Sequence, residues 1–227
     1  MVRRRAPGFL KEGPGPLEAL GVLALWVALE LTVGALLPRP ATPARALAWA
    51  GVLRASETAA LGLWWRARGW TLGGLGLRGP AASQGLRTGL VASLGIGLLV
   101  GAVEVGARLA TGTSALAPLA GRPARGAELT ALLAVGGLVG PLFEEALFRG
   151  VLYGGLRKRR GPVAATAVVT LLFALAHAGT TPVPWTQALG AILFCAVYEV
   201  SGSLWAPLIV HGSGNLALFL LPLWGPW

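Results

Sequence analysis

The chain has 227 residues, 55% of them apolar and only 12% charged, and its formal net charge is +10. A soluble domain carries about twice that charged fraction, so composition excludes a cytosolic globular protein and a nucleic-acid partner; in so apolar a chain, excess Arg marks loops held at the cytoplasmic face of a bilayer. A single Cys, Cys195, lies in an apolar run, which excludes a disulfide framework and a multi-Cys metal site.

A helix crossing the hydrocarbon needs roughly 20 residues. The first such segment, 17–37, follows Arg3, Arg4, Arg5 and Lys11; it exceeds the roughly 7–15 residues of a signal-peptide core and reads as an uncleaved anchor. Segment 43–65 is interrupted by Arg45, Arg54 and Glu57, the last two spaced to pair on one helical face. The Gly- and Arg-rich stretch 66–80 reads as a loop, 85–107 as the third span, and 127–156 as a long, tilted fourth. Segments 161–178, 185–200 and 204–221 complete the set. Trp64, Trp65, Trp185, Trp205 and Trp224 fall near span ends, the pattern of an interfacial aromatic belt. The expected fold class is therefore all-α, a polytopic transmembrane helical bundle of about seven spans, forming one integral membrane domain over 1–227 in the inner or plasma membrane. With the N-terminus inside, twelve basic residues fall on inner segments against five on outer ones, which favours a cytoplasmic N-terminus.

The fourth span contains Gly140-Pro-Leu-Phe-Glu144-Glu145-Ala-Leu-Phe-Arg149-Gly150. Each charge near the bilayer centre costs on the order of 3 kcal/mol, so something must offset them. Glu145 and Arg149 lie four apart, acid first, and can pair. Glu144 points about 100° away round the helix and lacks that partner. Pro141 frees a backbone carbonyl and can kink the helix. A structural ion-pair knot is the plain reading; intramembrane ionisable groups are functional by default.

Both His residues lie in the same half of the chain, in Phe173-Ala-Leu-Ala-His177 and His211-Gly-Ser-Gly-Asn215. The midpoint of positions 144 and 177 falls at Arg160–Gly161, where the turn between spans four and five is expected, so Glu144 and His177 should sit at similar depth. His211 and Asn215 are four apart and share a face, and Gly212 and Gly214 leave room for a neighbouring helix. A carboxylate and an imidazole around one water make an activated nucleophile, and an amide with a second imidazole can donate to an oxyanion. A Glu/His/His set also suits a zinc ion with an open position. Glu104 and Arg108 read as a local pair, Glu30 and Glu199 as structural charges or, alternatively, as lining a cavity, and Arg157–Arg160 as a topology determinant.

Glu144-Glu145-x-x-x-Arg149-Gly150, Phe173-x-x-x-His177 and His211-x-x-x-Asn215, in that order on three apolar helices, resemble the three-motif signature of the CPBP family, the CAAX prenyl endopeptidases and bacteriocin-processing enzymes also called Abi. The resemblance covers about a third of the chain, Gly140 to Asn215, and implies a glutamic-type intramembrane endopeptidase without a cofactor. It implies that Glu144 and His177 activate water, that His211 and Asn215 form the oxyanion hole, and that Glu145 and Arg149 support the site. It would make 127–221 a catalytic helical core behind anchoring spans in 1–126, with a membrane-anchored or lipidated protein as substrate. The alternatives are a non-catalytic immunity or scaffold protein of the same fold and a zinc-dependent membrane protease.

Overall fold

The computed structural model describes residues 12–36, 40–178 and 184–223. Among these residues the secondary structure is entirely helical. Helices α1 (Pro16–Leu36), α2 (Pro43–Ala67) and α3 (Pro80–Thr111) lead to a long composite rod, in which α4 (Gly126–Ala131) and α5 (Gly140–Glu145) alternate with two π-helical stretches, Leu132–Val139 and Ala146–Tyr153. Then come α6 (Gly154–Ala176), α7 (Pro184–Ser201) and α8 (Trp205–Leu220). Helix α6 is broken at Gly161, whose φ of 78° and ψ of 172° are far from helical. A residue with a Cβ rarely adopts that conformation, and Pro162 follows it, so the chain reverses where the motif spacing places the turn. Counting the two rods that meet there, the described residues form seven helical rods, in keeping with about seven spans. By length and hydropathy alone, four helical segments qualify as membrane spans, the 51-residue segment Gly126–Ala176 among them. The third rod, α3, is longer than its apolar stretch, because Pro80 at its first turn starts it early.

The apolar rods turn much of their surface outward: Leu90, Val91, Leu94, Leu98 and Leu109 of α3 are all exposed, as a lipid solvent permits. The buried core gathers round the second π-helical stretch, where Leu147, Phe148, Val151, Leu152 and Tyr153 are covered by α6, α7 and α1. α1 and α2 are stitched to α5 by charge: Arg54 bonds both Glu30 and Glu57, and its guanidinium lies 5.0 Å over the Phe143 ring. Spacing alone pairs Arg54 with Glu57; Glu30, 24 residues before Arg54, joins them only in the folded chain. Glu104 pairs with Arg108 and Glu199 with Arg157, as structural charges should.

The connections are docked rather than loose. A short 3₁₀ turn, Leu72–Leu75, ends at Gly76 with φ 66°, and a Cβ there would lie 2.0 Å from the Gly202 carbonyl oxygen. That approach lets the Ser203 hydroxyl donate to the Gly76 carbonyl at 2.6 Å and the Leu204 amide to the Leu75 carbonyl at 3.0 Å. Glu12 accepts from the Thr71 amide (2.9 Å) and hydroxyl (2.8 Å), and those donors hold its carboxyl below the ordinary value of 4.5. Trp65 departs from the aromatic-belt expectation: it is buried, with its indole N–H donating to the Thr71 carbonyl and its ring against Trp70 at 4.9 Å. Trp224 lies outside the described residues.

Candidate active site

Pro141 is where the site begins. In the preceding π-helical stretch each amide donates to the carbonyl five residues back, and the Gly140 N–H bonds the Val135 carbonyl. The next donor in that series would come from residue 141, and proline has none. The Gly136 carbonyl is thereby left without its backbone partner, and Asn215 of α8 supplies one, its side-chain amide donating at 2.8 Å. Gly212, one turn earlier on α8, lies so close that a Cβ would come within 2.8 Å of the Gly137 carbonyl oxygen. At Gly214, the other glycine expected to make room, nothing lies within 4 Å. The freed carbonyl and the small residue together seat α8 against this rod.

With α8 so seated, the two carboxylates diverge as the 100° step between consecutive helical residues requires. Glu144 Oε2 lies 3.8 Å from His177 Nε2 and 3.7 Å from His211 Nε2. That oxygen is buried and makes no hydrogen bond. Glu145, fully buried, turns the other way: its Oε1 accepts from Arg149 at 3.0 Å and from His211 Nδ1 at 2.7 Å. His211 therefore stands between the two acids, one ring nitrogen towards each.

The tautomers follow from these partners. The His177 Nδ1–H donates to the Phe173 carbonyl at 2.8 Å, and the His211 Nδ1–H donates to the Glu145 carboxylate. In a neutral imidazole that leaves Nε2 as the proton acceptor on each ring, facing Glu144. Ring contacts fix both planes: His177 lies 4.5 Å from Phe173, and His211 stacks on Phe194 at 4.6 Å with 17° between planes.

Arg149 binds the remaining walls together. Fully buried, it donates to Glu145 on α5 and, at 3.3 Å, to the Ala191 carbonyl on α7, while its guanidinium sits 4.9 Å from the ring centres of both Phe173 and Phe194. Burying a cation without compensation is prohibitive; here a carboxylate, a carbonyl and two aromatic faces replace water. Phe173, Phe194 and Ala191 carry this arrangement without polar side chains to betray them in sequence. Phe173 stands in the second motif only as a flanking apolar residue.

Of the six residues singled out by motif, five (Glu144, Glu145, Arg149, His177, His211) form one contiguous cluster. Asn215, expected to aim with His211 at a single atom, is instead engaged with Gly136; its second amide hydrogen is not used in that bond. Among the described residues, no group of three or more His, Cys, Asp or Glu side chains is arranged to hold a metal ion.

Comparison with known proteins bears on the same part of the chain. Residues 126–217 match the family model "Type II CAAX prenyl endopeptidase Rce1-like". The chain is 32% identical over 95 residues to the membrane-embedded CAAX protease MroQ of Staphylococcus aureus (strain USA300), covering 39% of this chain and 38% of MroQ. It is 25% identical over 92 residues to YdiL of Bacillus subtilis (strain 168), a membrane peptidase by its name, covering 40% of this chain and 37% of YdiL. The chain thus spans under two-fifths of the length of these curated relatives. No solved structure matches. The stretch that holds all six motif residues, 126–217, is therefore the stretch that carries the Rce1-like CAAX prenyl endopeptidase pattern.

Proposed function

We propose that this protein is an intramembrane endopeptidase in which Glu144 and His177 activate a water molecule that hydrolyses a peptide bond. The observation that carries the reading is the position of Glu144 Oε2, 3.8 and 3.7 Å from two imidazole nitrogens. Those separations are too long for direct hydrogen bonds and short enough for a single water to reach all three atoms. Such a water gives up one proton to Glu144 or His177 as its oxygen attacks the carbonyl carbon, and the same groups return a proton to the departing amine. No Ser or Cys nucleophile is needed.

The negative charge that develops on the substrate oxygen requires donors. Asn215 offers its second amide hydrogen. His211, its Nδ1–H already held by Glu145, can donate from Nε2 when that nitrogen carries the proton taken from the water. Arg149 touches no reacting atom in this scheme; it holds Glu145, and through it His211, in place. The substrate fitting a site among lipid-facing rods is a membrane-anchored or lipidated protein or peptide.

Glu144→Gln keeps the shape and removes the base. Reconstituted with a cleavable membrane peptide, it is expected to lose at least about a hundredfold in rate, the low end of general-base catalysis, while folding normally. Turnover equal to wild type would refute the mechanism; absence of cleavage by either protein, with the biological role kept by Glu144→Gln, would return the chain to the class of non-catalytic membrane proteins. The chemistry is proposed as metal-independent, so activity should persist in EDTA; loss in EDTA with recovery on adding zinc would replace the water base by a metal hydroxide.

A further inference from the structure

A second concave feature lies away from the candidate active site, between α7 and the part of α6 that follows Gly161. It encloses about 450 Å³ and is walled by Val163, Thr166 and Thr170 on one side and Ile192, Ala196 and Glu199 on the other. Its lips open outward, with Val163 82% and Ile192 47% exposed. From Val163 to Thr170 it runs roughly 10 Å along the helix. Its volume is on the scale of a single hydrocarbon chain, and its lining of small and apolar side chains suits one.

The chain leading into one end of this groove is strongly positive. Arg157, Lys158, Arg159 and Arg160 immediately precede Gly161 and the groove residue Pro162. The one carboxylate on the groove wall, Glu199, is already neutralised, receiving Arg157 Nη2 at 2.7 Å and the Tyr153 hydroxyl at 2.7 Å. Lys158 donates to the Gly13 carbonyl. Among the described residues, Arg159 and Arg160 are exposed and have no carboxylate partner. An apolar slot whose Pro162 end follows two unspent arginines directly along the chain is complementary to a molecule with an anionic head and an apolar tail, and basic pockets between membrane helices take such headgroups.

We propose that the α6–α7 groove binds an anionic phospholipid of the bilayer, one acyl chain lying between Val163–Thr170 and Ile192–Glu199 and the phosphate resting on Arg159 and Arg160. The groove wall includes Cys195, four residues from Ala191, whose carbonyl holds Arg149. A seated chain therefore braces the helix pair that fixes the guanidinium.

The test uses the full chain in neutral detergent and needs no cleavage assay, so it is independent of the proposed function. Thermal unfolding is followed with dioleoyl phosphatidylglycerol, with dioleoyl phosphatidylcholine, and with glycerol phosphate alone. Phosphatidylglycerol at a hundred times its dissociation constant is expected to raise the Tm by roughly 5–10 °C, and the other two by much less. The surface pair Arg159→Gln/Arg160→Gln should unfold at the wild-type temperature without lipid and lose most of the increase. Thr166→Trp fills the slot, and Ala196→Leu fills it from an exposed position where folding is not at risk; each should lose the increase too. Equal stabilisation by phosphatidylcholine would overturn the proposal by making the charge irrelevant. Full stabilisation by glycerol phosphate would reduce the site to the two arginines. An undiminished increase in Ala196→Leu would show that the chain lies elsewhere.

Discussion

Removing the Asn215 amide should cost stability only while Pro141 is present. In the native chain the Gly136 carbonyl has lost its backbone donor to Pro141 and receives Asn215 Nδ2 at 2.8 Å. Asn215→Leu leaves that carbonyl unpaired in an apolar setting, a penalty of about 2 kcal/mol, which lowers the Tm of a chain this long by roughly 4–8 °C. Pro141→Ala restores an N–H at the position that continues the five-residue series from Val135–Gly140. In that background Asn215→Leu should cost no more than about 0.5 kcal/mol, so the two changes couple by at least about 1 kcal/mol, beyond ordinary non-additivity. The assay is thermal unfolding of the four proteins by circular dichroism in one neutral detergent. Equal losses in both backgrounds would refute the account of the Gly136 carbonyl. Cleavage gives a separate reading: if Asn215 also donates to the oxyanion, the double variant is stable and still slow, whereas full turnover by it would confine Asn215 to a structural role.

Arg149→Met should be far more damaging than its apolar surroundings suggest. It strands Glu145 in a fully buried site and is expected to cost about 3–5 kcal/mol, visible as loss of folded protein on detergent extraction; a normal yield and Tm would contradict the pairing. Gly76→Ala combines a φ of 66° with a Cβ 2.0 Å from the Gly202 carbonyl oxygen. It should destabilise by at least about 2 kcal/mol and uncouple the Leu72–Leu75 turn from α8, which protection of the Leu204 amide against hydrogen exchange would report. The Glu12 carboxyl is held down by the Thr71 amide first and the Thr71 hydroxyl second. Its contribution is thus present above the ordinary pKa of 4.5 and lost as pH falls through the lowered value. The Thr71 amide resonance should titrate with a midpoint below 4.5 and cease to titrate in Glu12→Gln.

Much of the candidate site was legible because helical geometry converts spacing into direction. Glu145 and Arg149 had to share a face and Glu144 had to leave it; the nearly equal separations of Glu144 and His177 from Gly161 placed them level. What spacing could not reveal was which imidazole nitrogen meets which acid, because that depends on the roll of α8 against α5. That roll is set by Gly212 and by the donor that Pro141 removes from the hydrogen-bond series. Pro141 itself signalled a freed carbonyl, and the five-residue register that makes it Gly136 arises only because residues 132–139 wind as a π-helix. Apolar partners were the other blind spot: nothing in the periodicity of α7 marks Ala191 or Phe194 as holding an arginine. Trp65 misled because its place at a span end suits an interfacial ring equally well; the fold instead drew it inward against Trp70.

Under the proposed hydrolysis, the reversal at Gly161 also sets how far a scissile bond would travel. From Pro162 onward, the rod of about fifteen residues to Ala176 measures roughly 22 Å, most of a hydrocarbon layer about 30 Å thick. With the four consecutive cations in one headgroup layer, Glu144 and His177 would come to rest nearer the other, and under the proposed hydrolysis a peptide approaching from the side opposite those cations would have the shorter way in.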